Sequence, residues 1–253
     1  MKSRKMRTKD SDSHLFRELV ISLVGTVIGI ILTVGVTYWS EQRDKEEMAR
    51  KVMLLTIHNL DVSIGSMERL VDELSRQDTI FHYVRERATS SVSPDTLDLF
   101  VSALYSHHIR PIDSSTEAIF SSNFEIWKYI DDPKIIGRIA NCYSLMDECG
   151  EEYERIERNK YQNFLSVYDA QDKSVRQSGK EMTDVLLSQN KVLSVMDALP
   201  YEISLLRSLI ENAKALNDRN KTELRVNQKE LDEIGNSPRY KTGKTGIKLN
   251  ASK

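Results

Sequence analysis

Few residues in this chain have the types and spacing that chemistry needs. Cys142 and Cys149 are its two cysteines. On one helix they stand about 10.5 Å apart along the axis, beyond the roughly 7 Å that a disulfide can bridge. A reactive thiol needs electropositive surroundings, and Asp147, Glu148, Glu151 and Glu152 supply the opposite sign, so both cysteines read as small core residues. His107 and His108 are the adjacent histidine pair, with Arg110 and Asp113 downstream. Helical metal ligands are spaced by three or four residues, whereas adjacent ones point in different directions, which makes the pair part of a surface loop. Gly243-Lys244-Thr245 matches the end of a phosphate-binding loop, but Pro238 stands where the earlier glycine belongs, and no strand precedes it. Glu148, Glu151, Glu152, Glu154 and Glu157 are distributed around a helix instead of converging on one point, as a divalent ion would require; they read as a solvated face. No nucleophile elbow, zinc-protease helix or dinucleotide-binding glycine pattern occurs. The expectation is a chain with no catalytic, metal-binding or cofactor-binding residues and no cofactor: not an enzyme.

The charge distribution says more. Residues 1–18 carry six basic and three acidic groups, residues 19–39 none, residues 40–237 25 basic and 35 acidic, and residues 238–253 five basic and no acidic groups. Glycine and cysteine are too scarce, and apolar residues at 40% too many, for a collagen-like, disulfide-scaffold or wholly disordered chain. An acidic central region argues against nucleic acid as a partner.

The uncharged run LVISLVGTVIGIILTVGVTYW, residues 19–39, makes a helix of roughly 31 Å, enough to cross a hydrocarbon core once. Tyr38 and Trp39 close it as interfacial aromatics do. Signal-peptide cores are shorter, about 7 to 15 residues, and end in a small-residue cleavage site, so the run is expected to be an uncleaved transmembrane helix. Lys2, Arg4, Lys5, Arg7, Lys9 and Arg17 precede it and Arg43, Lys45, Arg50 and Lys51 follow. That bias places the N-terminus in the cytoplasm and the large domain in the periplasm, with the chain in the inner membrane. Gly25, Gly29, Thr33 and Thr37 recur every four residues and form a face of small side chains through which two such helices can associate.

After the run, residues 40–51 are charged helix formers without Gly or Pro, so the helix is expected to continue. Met53, Ile57, Leu60, Ile64, Met67, Val71 and Leu74 then recur at alternating spacings of four and three, a heptad seam. Its partner is either another helix of this chain or a second copy. Shorter helices are expected at 79–90 and 94–107, the latter with Ser93 as N-cap and Pro94 at the first helical position. Ser114 and Glu117 have capping-box spacing for another. Asp132-Pro133 starts a long helix to about residue 170, with Ile139, Cys142, Met146, Cys149, Tyr153 and Ile156 inward and Gly150 as a point of bending. A less apolar helix fits 173–197. The last strong pattern begins at Leu199-Pro200 and runs to Ile234, ended by Gly235 and Pro238.

Together these predict an all-α chain: a basic cytoplasmic tail (1–18), a transmembrane helix (19–39), a helical extramembrane domain (40–237) and a basic disordered tail (238–253). The helix after the membrane and the final helix are expected to pair antiparallel as the spine of a helical bundle.

Two stretches carry a resemblance. In Gly25 to Arg43 a Gly-Ile-Ile-Leu segment leads to Trp39, Glu41 and Arg43. In Thr116 to Tyr143, TEAIFSSNFEIWKYIDDPKIIGRIANCY follows Ser115. Both are similar to an uncharacterised family of single-pass membrane proteins abundant in Bacteroidetes, defined only as a domain of unknown function. The resemblance implies a membrane anchor and a helical domain, and no catalytic residues. The expected role is a non-enzymatic assembly or tethering module that self-associates, with the lipid bilayer and a second copy or a membrane protein as partners. The alternative is an accessory or sensor subunit whose bundle binds a ligand or partner.

Overall fold

The computed structural model describes residues 8–107, 120–121, 124–130 and 132–235, with side chains in the first helix described from Thr33 on, Val34 excepted. The elements are α1 (Thr8–Arg85), a 3-10 turn (Thr89–Ser91), α2 (Pro94–Tyr105), α3 (Phe124–Trp127), α4 (Pro133–Tyr168), α5 (Lys173–Arg176), α6 (Gly179–Leu187), α7 (Asn190–Glu223) and α8 (Gln228–Gly235). No strand occurs among the described residues, in line with the all-α expectation.

The transmembrane part of that expectation is corrected. Among the described residues no helix is long and apolar enough to cross a membrane. Residues 19–39 lie inside a helix that continues without interruption from Thr8 to Arg85. From Glu41 on that same helix is densely charged, with Glu41, Arg43, Asp44, Lys45, Glu46 and Glu47 within about two turns.

The chain divides into two compact units. The first comprises residues 1–51 and Glu125–Ile130. Within it Lys45 and Lys128 both approach the Tyr129 ring, at 5.9 and 5.7 Å from its centroid, and Arg43 lies 5.8 Å from the Trp39 ring.

The second unit, residues 52–124 and 131–253, is built on three long helical segments. The part of α1 from Val52 on runs antiparallel to α7. Asn217 donates to the Ile57 carbonyl (3.2 Å) and Asp61 (2.9 Å), Lys214 pairs with Glu68 (2.7 Å), Arg207 donates to Ser75 (2.9 Å), and Arg85 pairs with Asp197. α4 is antiparallel to α7 as well. Arg138 meets Asn220 at 2.7 Å, the Cys142 thiol donates to the Ala213 carbonyl at 3.5 Å, and Arg155 meets Glu202 at 3.0 Å. The exposed ion pairs contribute little each, about 0–1 kcal/mol; burial of the facing apolar stripes holds the bundle. All seven seam residues, Met53, Ile57, Leu60, Ile64, Met67, Val71 and Leu74, are at most 4% exposed. Their partner is therefore within the chain.

Local signals in the sequence place two of the helix starts. Ser93 accepts from the Thr96 amide with Pro94 at the first helical position, and Asp132 accepts from the Lys134 amide ahead of Pro133. Other expectations are corrected. No separate helix covers 79–90, because α1 continues to Arg85. Gly150 is buried within an uninterrupted α4. The stretch 173–197 holds α5, α6 and the first turns of α7. Pro200 does not start a helix but lies inside α7 with its ring exposed. An interior proline costs about 3 kcal/mol, which the buried Val192, Val195, Met196 and Leu199 ahead of it offset by extending the apolar stripe. The last helix breaks after Glu223, where Arg225 takes φ 51°, before α8.

Candidate functional site

Two features stand out in the second unit. The first is a layer inside the bundle. Lys160, on α4, is fully buried and donates to Glu157 at 2.6 Å, to Gln77 of α1 at 2.7 Å and to Ser106, the residue capping α2, at 3.5 Å. Gln77 donates in turn to Ser106 at 3.4 Å. Burial pushes the Lys160 ammonium below the usual lysine range, and the Glu157 carboxylate opposes that shift. Glu157, expected on a solvated face, is instead buried, while Glu148 and Glu151 are exposed. Glu157 and Lys160 are three residues apart and so share one helix face. The sequence shows that spacing; it does not show that the face is turned to α1.

The second feature is an aromatic strip between α2 and α4. The His107 ring is 5.4 Å from Tyr161, Tyr161 is 5.9 Å from Tyr105, Tyr105 is 5.7 Å from Phe164 edge to face, and Phe164 stacks on Tyr168 at 5.2 Å. Arg176, which ends α5, lies 5.4 Å from the Tyr168 centroid. At this end of the strip a groove of ≈ 330 Å³ is lined by Tyr105, Phe164, Tyr168, Met182, Arg176 and Asp98, among others. Gly179, the first residue of α6, permits the closure between α2 and α6. A Cβ there would overlap the Asp98 carboxylate. That carboxylate stands at the N-terminus of α6, where the helix dipole favours an anion.

The residues singled out by sequence fare differently. Cys142 and Cys149 are buried and not disulfide-bonded, and burial pushes the Cys142 thiol up to about 12, far from a reactive thiolate. His107 joins the aromatic strip, whereas His108, Arg110, Asp113, Ser114 and the 238–253 tail lie outside the described residues. Among the described residues no group of three or more His, Cys, Asp or Glu is placed to hold a metal ion. Of the proposed association face, Gly25 and Gly29 fall where side chains are not described; Thr33 and Thr37 are exposed, and the Thr37 hydroxyl donates to the Thr33 carbonyl at 2.9 Å. The aromatic strip escaped the sequence reading because α2, α4 and α5 each contribute only one to three of its members. Comparison with protein families, curated proteins and solved structures finds no significant match.

Proposed function

We propose that the chain is a non-enzymatic helical module that works by assembly, associating with a second copy through the part of α1 that precedes Ser40. The observation that carries this reading is a contrast along one helix. The heptad seam is at most 4% exposed, its partner being α7 of the same chain, whereas Val36, Tyr38 and Trp39 are 64%, 69% and 64% exposed. Large apolar side chains left uncovered side by side mark surfaces that another body covers. Thr33, Val36 and Thr37 lie at helical spacing on one face, and the small side chains of that face let a second backbone approach closely.

Sedimentation equilibrium of the full chain in mild detergent tests it. The expected result is a concentration-dependent dimer that Val36→Glu with Trp39→Glu weakens at least tenfold. Leu60→Ala in the seam leaves the association constant unchanged and lowers the unfolding free energy by about 2–5 kcal/mol. A chain that stays monomeric throughout the accessible concentrations sinks the proposal. The accessory-subunit reading is favoured by a different feature, the groove beside Tyr168.

A further inference from the structure

We infer that the groove between α2, α4 and α6 is a binding site for a small aromatic carboxylate. Its floor is the Phe164 ring, 1% exposed, and its walls are the Tyr105 and Tyr168 rings. Edge-to-face and stacked placements leave ring faces and edges available for an inserted ring to continue the same packing. The ≈ 330 Å³ volume is at the small end of what ligand sites offer, which limits the occupant to about one ring and a short chain.

Arg176 decides the charge. Its guanidinium is held against the Tyr168 face at 5.4 Å and makes no ion pair with any described residue. A guanidinium placed over a ring and without an acidic partner keeps N–H donors for another group, and a carboxylate can take two of them in parallel. Asp98 lines the groove too, but makes no ion pair with this guanidinium. Its carboxylate is turned to the first turn of α6, against Gly179, where the helix N-terminus compensates its charge. A ligand with an aromatic body and one anionic end therefore matches both halves of the groove. A cationic ligand would meet the unpaired guanidinium, and a purely aliphatic one would leave the ring walls without a stacking partner.

Isothermal titration calorimetry on the full chain tests this, with 3-phenylpropanoate as the probe and 3-phenylpropanamide as its neutral counterpart. The expected result is saturable binding of the acid at least tenfold tighter than that of the amide. Arg176→Gln, a change at an exposed position, abolishes the preference without shifting the thermal transition. Tyr168→Leu weakens acid and amide alike. Three outcomes overturn the assignment: no saturable binding of the acid at millimolar concentration, equal affinity for acid and amide, or full retention of the acid's affinity in Arg176→Gln. The Arg176 variant suffices should Tyr168→Leu fail to fold. Because the groove lies in the second unit, failure of self-association through Val36 and Trp39 leaves this result unaffected.

Discussion

Asp78 and Lys160 sit on facing helices, and burial treats their charges in opposite ways. Lys160 has Glu157, Gln77 and Ser106 around its ammonium, so the cost of dehydrating it is returned through hydrogen bonds to a charged donor. Asp78 has one carboxylate oxygen buried with no hydrogen-bond partner, and burial raises its pKa against a weaker opposing pull from His82. The folded chain therefore binds the Asp78 proton at a higher pH than the unfolded chain does. Stability falls as pH rises through that window and stays lower above it. Asp78→Asn is expected to unfold at a higher urea concentration than the parent at pH 7, and the advantage is expected to vanish below about pH 3.5, under the ordinary aspartate value. Urea titrations at the two pH values check this; an advantage of the same size at both would mean that packing, and not charge, governs the site. None of this is visible in sequence. Gln77, Asp78 and Lys160 look like the polar residues of any amphipathic helix until the facing elements are in place.

At the scale of the helices, periodicity and caps carried most of the information. The seam from Met53 to Leu74, the Ser93 and Asp132 caps and the inner stripe from Ile139 to Ile156 are properties of a single stretch of chain, so a single stretch suffices to show them. Pro200 misled because its local rule, a preference for the first helical turn, was overridden by apolar residues on both sides of it that share one buried face. Gly179 is the converse case, unremarkable in sequence and made necessary by another element. Gly179→Ala should gain about 1 kcal/mol of helix propensity at most, yet it must displace the Asp98 carboxylate from the α6 N-terminus. The two effects are of similar size and opposite sign, so the variant is expected to lie within about 1 kcal/mol of the parent. In an Asp98→Ala background the same change should be neutral or stabilising. A double-mutant cycle by urea unfolding reads the sign of that coupling; additive effects would show that the two residues do not constrain each other.

The bundle as a whole depends on partners far apart in the chain. Ile57 and Asn217, joined by a hydrogen bond, are separated by 160 residues, and Arg138 and Asn220 by 82. Each of the two N-terminal spine segments, in α1 and in α4, faces α7, which comes last among the three. Until α7 is present the α1 segment that carries the seam lacks the helix it is hydrogen-bonded and ion-paired to along its length. The heptad pattern by itself could not choose between a second copy and another helix of the chain, because knobs-into-holes packing asks only for a facing helix. Removing α7 should restore the choice. A chain ending at Ser188, carrying Val36→Glu and Trp39→Glu to silence association ahead of Ser40, leaves the seven seam residues and the inner stripe of α4 uncovered. It is expected to lose the cooperative urea transition while keeping much of its helical circular dichroism, and to sediment as a dimer or larger through the seam. Adding the 190–223 segment as a peptide should return it to a one-to-one complex with a recovered transition, since the peptide supplies the buried Leu199, Leu206, Ile210 and Ala213 that the spine packs against. A truncated chain that stayed monomeric and unfolded cooperatively would place the stability of the bundle in the pairing of α1 with α4, and the dependence of the spine on its last long helix would have to be given up.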